Sequence, residues 1–176
     1  MNPSPNLFLV GPTGAGKTTI GKRLAAHYNL PFIDLDVEIE ARLGISIVTL
    51  FEREGEAAFR ALETAHLDEF SRHRGVVLAT GAGAVTNETN RDVLMARGTV
   101  LMLAVSVDEQ FDRLEHDRAR PMISGADRRG RLETLAHDRN HIYEDVADLI
   151  FRGRHEHVDA AVPRAIALLD RHWKRS

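Results

Sequence analysis

The sequence contains no cysteine among its 176 residues, and only 6% of the residues are aromatic. The absence of cysteine excludes a disulfide framework, thiol catalysis and zinc held by thiolates. Long apolar runs are also lacking, since stretches such as Val100 to Val105 fall far short of the roughly 18 residues that a membrane span requires. Met1 to Asn6 lack the charged-then-apolar order of a signal peptide. We therefore expect a soluble, cytoplasmic protein without a membrane partner.

A strong charge of either sign is missing too. The 23 Lys and Arg residues and 26 Asp and Glu residues leave a formal net charge of −3, which gives no broad attraction to nucleic acid. With 43% hydrophobic and 28% charged residues, the composition is that of an ordinary globular protein. Because the chain has no internal repeat, its length predicts a single domain over residues 1–176.

Short apolar runs alternate with segments of helical periodicity. The runs are Leu7–Val10, Pro31–Ile33, Val76–Ala79, Val100–Val105 and, as a fifth candidate strand, Ala147–Phe151. Strands that are buried on both faces and alternate with helices are typical of a parallel sheet covered on both sides. We expect an α/β, three-layer fold whose ligands bind beyond the carboxyl ends of the strands. The last helix should carry Val158 and Leu169, and Pro163 is tolerated there only in the first turn.

The segment Gly11-Pro-Thr-Gly-Ala-Gly16-Lys17-Thr18 carries the strongest functional signal. It matches the phosphate-binding loop pattern G-x-x-x-x-G-K-[ST] in full, between a predicted strand and a predicted helix. Glycines let successive N–H groups turn inward, and the helix adds its positive end. Lys17 then supplies a mobile positive charge for the outer phosphates, and the Thr18 hydroxyl can ligate Mg²⁺. The loop predicts a nucleotide-binding site.

Asp34 and Asp36 follow the second predicted strand. If the chain stays extended there, residues two apart face the same side, and both carboxylates look toward the phosphates. One carboxylate would orient the shell of Mg²⁺ while the other accepts a proton from an attacking hydroxyl. The alternative is a helix N-cap beside a solvated aspartate.

Several basic and polar segments remain ambiguous from the residues alone. Arg60 lies on a helix with an apolar face, and a lone helical arginine is usually solvent-facing. The Arg- and Gly-rich stretch Arg118–Gly130 is either a lid that closes over phosphates or a soluble loop. His155-Glu156-His157 is interpreted as a polar loop, and no zinc site is assigned.

Several of these motifs occur together and in an order that resembles the shikimate kinase family. The resemblance covers about residues 6–169. It rests on the phosphate loop and on Phe32–Asp36, Gly44–Ile47, Phe51–Glu56, Phe59-Arg60, Leu78–Val85, Arg120–Ile123 and Arg139–Tyr143. The phosphate loop is shared by many proteins, whereas the ordered combination of Asp-x-Asp, Phe-Arg, a second glycine cluster and Arg-Pro is far more specific.

The resemblance implies a P-loop kinase fold with a five-stranded parallel sheet and a mobile lid, here at about residues 116–130. It also implies an ATP-dependent kinase that transfers the γ-phosphoryl group to the 3-hydroxyl of shikimate, in aromatic amino acid biosynthesis. The implied partners are ATP and shikimate, with Mg²⁺ as the cofactor. Nothing in the sequence demands a partner chain, and we expect a monomer.

The same resemblance assigns roles to individual residues. The residues implied to bind ATP are Gly14, Ala15, Gly16, Lys17, Thr18, Thr19, Arg113 and Arg120. The residues implied to bind the acceptor are Asp36, Arg60, Gly81, Ala82, Gly83, Arg139, Phe51 and Phe59. The implied catalytic residues are Asp36, Lys17 and Asp34. Thr18 and Asp34 are implied to bind the metal. Arg60 and Arg139 would clamp the acceptor carboxylate.

Two departures from the family pattern accompany the resemblance. Ala82 stands where the family usually has the middle of three glycines, whose backbone N–H faces the substrate. Alanine keeps that N–H but adds a methyl group and disfavours positive φ, which bears on substrate affinity and identity. The segment 152–158 has no clear adenine motif, so adenine contacts there are left unassigned.

Three alternatives remain open beside shikimate phosphorylation. They are a related small kinase of another polyol acid such as gluconate, a nucleotide-binding switch without an acceptor, and an inactive relative. Against the switch, the sequence shows no Asn-Lys-x-Asp guanine motif and no appended domain that a switch would regulate.

Overall fold

The structure is a computed structural model that describes residues 3–114 and 127–175. Its strands are β1 (Leu7–Val10), β2 (Phe32–Asp34), β3 (Val77–Ala79), β4 (Thr99–Ala104) and β5 (Leu149–Arg152). Its α-helices are α1 (Lys17–Tyr28), α2 (Leu35–Leu43), α3 (Ile47–Phe70), α4 (Glu88–Arg97), α5 (Val107–Arg113), α6 (Arg128–Val146) and α7 (Val158–His172). A short 3₁₀ helix spans Ala84–Thr86.

All five strands form one parallel sheet in the order β2-β3-β1-β4-β5. On one face of the sheet, Leu7 packs in a buried cluster with Leu24 of α1 and with residues of α7. On the other face, Phe8 packs with Leu67 of α3 and Leu94 of α4. Successive residues of β1 therefore point into different apolar layers, which is why the strand reads as a continuous apolar run. The predicted three-layer α/β fold with five parallel strands is confirmed.

The sheet order determines where a ligand can bind. β1 lies between β3 and β4: the chain leaves β1 toward the side of β2 and β3, and it later crosses from β3 to β4 on the other side of β1. A crevice therefore opens beyond the carboxyl end of β1. The phosphate loop follows β1, Asp34 ends β2, and the cluster Gly81–Gly83 follows β3. Three segments that are far apart in the chain therefore meet at one edge of the sheet.

A glycine shapes one wall of this crevice. Gly55 interrupts α3 with φ 81° and ψ 176°, a conformation that side chains other than glycine rarely adopt. In a straight helix, residues eight apart are separated by about 12 Å along the axis. Across the kink, however, the ring centroids of Phe51 and Phe59 lie 5.1 Å apart. The kink brings these two rings together on one wall.

One local expectation is corrected by the structure. α7 begins at Val158, so Pro163 lies in its second turn and not in the first. The side chain of His157 accepts a hydrogen bond from the Asp159 N–H and caps the helix, which therefore begins earlier than a first-turn proline would allow. Proline has no N–H, so the carbonyl that loses its helical partner at Pro163 is that of Asp159, an exposed residue. The stretch interpreted as a lid lies largely outside the described residues, but its end at 127–130 forms the N-cap and first turn of α6.

Among the helices that the structure describes, no helix combines the length and apolar character that crossing a membrane requires.

Candidate active site

The phosphate loop owes its shape to three glycines. Gly11, Gly14 and Gly16 all have positive φ, at 140°, 75° and 91°. A Cβ on Gly11 would also lie 2.5 Å from the Leu103 carbonyl oxygen, so the loop passes directly against β4. α1 starts at Lys17 immediately afterwards, and its positive end faces the loop. The loop thus has the backbone form that a phosphate needs.

Side chains hold this loop from both sides. Lys17 Nζ donates to the carbonyl oxygens of Gly11 at 2.6 Å and Pro12 at 2.9 Å. From α5, Gln110 Nε2 donates to the Thr13 carbonyl at 2.9 Å and Arg113 donates to the Gly14 carbonyl at 3.0 Å. The buried Gln110 was missed by sequence reasoning, because a single glutamine on a short helix carries no signal without the tertiary contact.

Asp34 has two roles in the structure. Its Oδ2 accepts from the Thr18 hydroxyl at 2.5 Å, and its Oδ1 accepts from the N–H groups of Asp36 at 3.1 Å and Val37 at 3.4 Å. The expectation that the chain stays extended through Asp36 is wrong, because Asp34 is the N-cap of α2 and Asp36 lies in its first turn. Both carboxylates nevertheless line the cleft at the phosphate loop, so capping and facing the phosphates are compatible.

The cleft at the phosphate loop extends toward the β5–α7 connection. Glu156, His157 and Val158 line it there, in the segment for which the sequence offered no adenine assignment. Glu156 is ion-paired with Arg164, and the N–H of His155 donates to Glu109 at 3.2 Å. Glu156 and the His155 backbone of the His-Glu-His segment are thus engaged by other side chains of the protein. We refer to this cleft as the nucleotide cleft.

A second pocket adjoins the nucleotide cleft. It contains every residue assigned to the acceptor from the sequence, and it adds further residues from α3, α5 and α6. Its lining includes Asp36, Phe51, Phe59, Arg60, Gly81, Ala82, Gly83 and Arg139, with Glu63, Gln110, Leu135 and Tyr143 as additions. We call it the acceptor pocket. Asp36, Val37 and Ala82 line both cavities and therefore mark the boundary between them.

Glu63 is the main acidic residue of the acceptor pocket that the sequence did not identify. Its side chain is 0% exposed, and its Oε2 accepts from Arg60 Nη1 at 2.7 Å. Burial raises the pKa of Glu63, and nearby Asp36 raises it further, while the Arg60 guanidinium opposes the shift. Arg60 also donates to Glu56 at 3.3 Å and stacks its guanidinium over the Phe59 ring. The i, i+3 spacing from Arg60 was the only signal that could have identified Glu63.

The second glycine cluster uses glycine for space and not for positive φ. None of its residues has positive φ, so Ala82 adopts its conformation without strain. A Cβ on Gly81 would overlap the Glu63 carboxylate, and a Cβ on Gly83 would overlap the Arg60 guanidinium. The middle position faces the boundary of the two cavities and accommodates a methyl group. The positive φ that alanine disfavours is therefore not required at position 82.

A magnesium ion fits the residues beside the phosphate loop. Mg²⁺ is usually held by one or two carboxylates together with substrate phosphates and water. The Thr18 hydroxyl and the Asp34 carboxylate are already in contact, and both line the nucleotide cleft. Within residues 3–114 and 127–175, no group of three or more His, Cys, Asp or Glu side chains gathers to form a metal site. The donor set matches a metal that is held partly by its nucleotide.

Two predicted residues lie outside the part of the chain that the structure describes: Arg120, assigned to ATP, and Arg118 of the same stretch. All other residues assigned from the sequence are described. The described residues assigned to ATP and to the metal line the nucleotide cleft, and those assigned to the acceptor line the acceptor pocket.

Comparison with known proteins places this arrangement in a family. The shikimate kinase family model matches residues 13–170. The chain is 41% identical over 176 residues to a shikimate kinase of Xylella fastidiosa (strain M12), which covers all of this chain and 98% of the relative. It is 50% identical over 144 residues to a shikimate kinase of Halorhodospira halophila, which covers 82% of this chain and 81% of the relative.

A solved structure supports the same assignment. Shikimate kinase from Acinetobacter baumannii in complex with shikimate superposes with a TM-score of 0.90 at 38% identity, and the match covers 96% of this chain and 95% of that chain. The resemblance seen in the sequence motifs is confirmed at the level of family and fold. The chain belongs to the shikimate kinase family, whose members are ATP-dependent kinases that phosphorylate a hydroxyl group.

Proposed function

We propose that this chain transfers the γ-phosphoryl group of ATP to the 3-hydroxyl of shikimate. The observation that carries the proposal is the junction of two cavities at Asp36, which lines both the nucleotide cleft and the acceptor pocket. A hydroxyl bound beside Asp36 would face the phosphates of a nucleotide held by the phosphate loop. Transfer then requires positioning and charge neutralisation more than covalent help.

The chemistry of the acceptor pocket suits a small ring that carries a carboxylate and hydroxyl groups. The guanidinium groups of Arg60 and Arg139 match a carboxylate, because each offers N–H donors in a planar fork. Phe51 and Phe59 offer an apolar wall to one face of a ring. Asp36 accepts hydrogen bonds from hydroxyl groups at the other end of the pocket. This combination favours shikimate over an acceptor without a carboxylate.

Roles in the reaction follow from where each group lies. Asp36 orients the acceptor hydroxyl and accepts its proton. Lys17 and the N–H groups of Gly14 to Thr19 bind the phosphates, and Arg113 supports the loop at Gly14. Thr18 and Asp34 would hold Mg²⁺, which when bound neutralises charge on the phosphate oxygens. Arg120 in the expected lid at 116–130 is proposed to contact ATP when the lid closes and excludes water.

We also propose that the chain acts as a monomer and a single domain in the cytoplasm, on two small molecules and without nucleic acid. Large apolar side chains that are exposed within the described residues are few and scattered, at Val37, Leu43 and Met95. Such single exposed residues are common on monomers.

The decisive experiment measures ADP release by the purified chain with ATP and Mg²⁺. Parallel reactions contain shikimate, gluconate, a nucleoside monophosphate or no acceptor, and Lys17→Ala serves as the inactive control. Release that is stimulated by shikimate alone is the expected result. Stimulation by gluconate would instead assign another polyol acid. Equal slow release in every reaction would point to a switch or an inactive relative.

A further inference from the structure

Tyr143 is a buried side chain of the acceptor pocket that has no role in the proposed phosphoryl transfer described above. It lies on α6 one turn after Arg139 and is 2% exposed. Its hydroxyl donates to the carbonyl oxygen of Ala82 at 2.5 Å. Burial raises the pKa of Tyr143 to about 12, while the guanidinium groups of Arg139 and Arg60 oppose the shift. The hydroxyl therefore remains protonated, and remains a donor, throughout the neutral pH range.

The hydrogen bond from Tyr143 belongs to an ordered pattern along the glycine cluster and the 3₁₀ helix. Each carbonyl from residue 81 to residue 86 accepts a hydrogen bond from inside the protein. The donors, in chain order of the acceptor, are Ala84 N–H, the Tyr143 hydroxyl, Thr86 N–H and hydroxyl, Asn90 Nδ2, and Arg91 Nη1 for the last two carbonyls. By contrast, the N–H groups of Ala82 and Gly83 donate no hydrogen bond within the described residues.

The planarity of the peptide unit connects these observations. The carbonyl of Ala82 and the N–H of Gly83 belong to one planar trans peptide, in which they point in opposite directions. A donor that holds the carbonyl on one side therefore fixes the direction of the N–H on the other. This peptide ends in a glycine, whose backbone is otherwise free to rotate. A fixed donor is needed there if the N–H is to keep one orientation.

We infer that Tyr143 is a positioning residue for the acceptor: its hydroxyl holds the Ala82–Gly83 peptide so that the N–H of Gly83 stays directed at the bound acid. Because Tyr143 and Arg139 are four residues apart on α6, one helix face presents the guanidinium to the acceptor and holds the peptide that faces it. The inference rests on the proposed function, since it requires shikimate in the acceptor pocket.

The test variant is Tyr143→Phe, which removes the hydroxyl and keeps the ring in its apolar cluster. The chain offers a matched control, because its only other tyrosine, Tyr28, is also buried and donates to Asp170 at 2.9 Å, away from both cavities. Tyr143→Phe should raise KM for shikimate roughly five- to tenfold, the effect of one lost hydrogen bond, with KM for ATP within about twofold of wild type. Tyr28→Phe should leave both KM values unchanged.

Three outcomes would overturn the inference. The first is an unchanged KM for shikimate in Tyr143→Phe. The second is an equal rise of both KM values together with a lowered Tm, which would assign Tyr143 to core packing. The third is a wild-type chain without shikimate-dependent turnover, which would overturn the proposed function as well. The first two arise only when the wild type is active, so the two failures are distinguishable.

A second measurement does not depend on how the variant folds. In a ¹H–¹⁵N correlation spectrum of the wild-type chain, shikimate should shift the amide signal of Gly83, because this N–H gains an acceptor. The amide of Gly98, which follows α4 and lines neither cavity, serves as the reference. An unshifted Gly83 signal under saturating shikimate would refute the inference.

Discussion

The nucleotide cleft and the acceptor pocket lie side by side but are built in different ways. The phosphate-binding part of the nucleotide cleft depends on one continuous segment, residues 11–19, whose backbone shape follows from its own glycines and from the start of α1. The acceptor pocket takes side chains from α2, α3, α6 and the cluster after β3, which only the folded sheet brings together. Phosphate recognition is therefore mainly a local property of the chain, whereas acceptor recognition is a property of the tertiary structure.

Substitutions in one cavity should therefore leave the affinity for the other substrate unchanged, and residues at the boundary of the two cavities should act mainly on turnover.

The largest effect is expected at the boundary of the two cavities. Asp36→Asn keeps the size of the side chain but removes its charge, and general bases typically contribute 10²–10⁴-fold to rate. We expect kcat to fall at least about a hundredfold while KM for ATP changes little. Steady-state kinetics with both substrates checks this, and a kcat near the wild-type value would exclude Asp36 as the base.

A large effect confined to one cavity is expected for Arg139→Ala. Hydrogen bonds to charged groups contribute about 1.5–3 kcal/mol, so KM for shikimate should rise roughly 10- to 100-fold. KM for ATP should stay at the wild-type value, because Arg139 lines the acceptor pocket and not the nucleotide cleft. Arg131→Ala on the same helix is the control, since Arg131 lines neither cavity. If Arg139→Ala altered both KM values equally, the separation of the cavities would be wrong.

An intermediate effect should separate the positions of the second glycine cluster. A methyl group at Gly83 must displace the Arg60 guanidinium, whereas Ala82 carries its methyl group without strain. We expect Gly83→Ala to raise KM for shikimate by about tenfold, through loss of one charged hydrogen bond, and Ala82→Gly to change it less than about threefold. The same kinetic assay measures both. Equal changes in KM at the two positions would show that steric contact with Arg60 is not the reason why position 83 needs glycine.

The smallest effect concerns stability at the buried carboxyl of Glu63. Its pKa is raised in the folded protein, so its protonated form favours folding below the usual pKa of glutamate, and this stability is lost as pH rises through the raised pKa. Because glutamine does not titrate, the Glu63→Gln variant should not lose this stability as the pH rises. The Tm of the variant minus that of wild type should therefore grow as the pH rises above the ordinary glutamate pKa of about 4.3, by on the order of 2–4 °C per kcal/mol. A difference that stayed constant across this range would contradict the raised pKa.

Sequence patterns predicted the parts of the site that depend on local structure. The phosphate loop, the Asp-x-Asp segment and the second glycine cluster were all placed at the carboxyl ends of strands, and the structure has them there. The extended path through Asp36 was wrong because the Asp34 side chain caps α2 at once. The effect of Ala82 on substrate affinity could not be predicted, because the motif alone does not reveal that this cluster needs glycine for space and not for positive φ.

The residues that sequence reasoning missed share one property: each acts through a contact with a distant part of the chain. Gln110 reaches the loop carbonyl at Thr13, 97 positions away, and Tyr143 reaches the Ala82 carbonyl across 61 positions. Glu63 is close to Arg60 in sequence, but its burial and its approach to Gly81 depend on how α3 packs against the strand ends. A single buried side chain of this kind has no sequence pattern of its own.

The amino-acid sequence by itself determined the α/β class with its parallel sheet, the phosphate loop and the absence of thiol chemistry, because apolar periodicity and glycine conformation act over a few neighbouring residues. The tertiary structure alone decided which side chains surround the acceptor, that Glu63 is buried against Arg60, and that the Tyr143 hydroxyl meets the Ala82 carbonyl. Those contacts join segments whose separation in the chain is closed only by the packing of helices on the sheet.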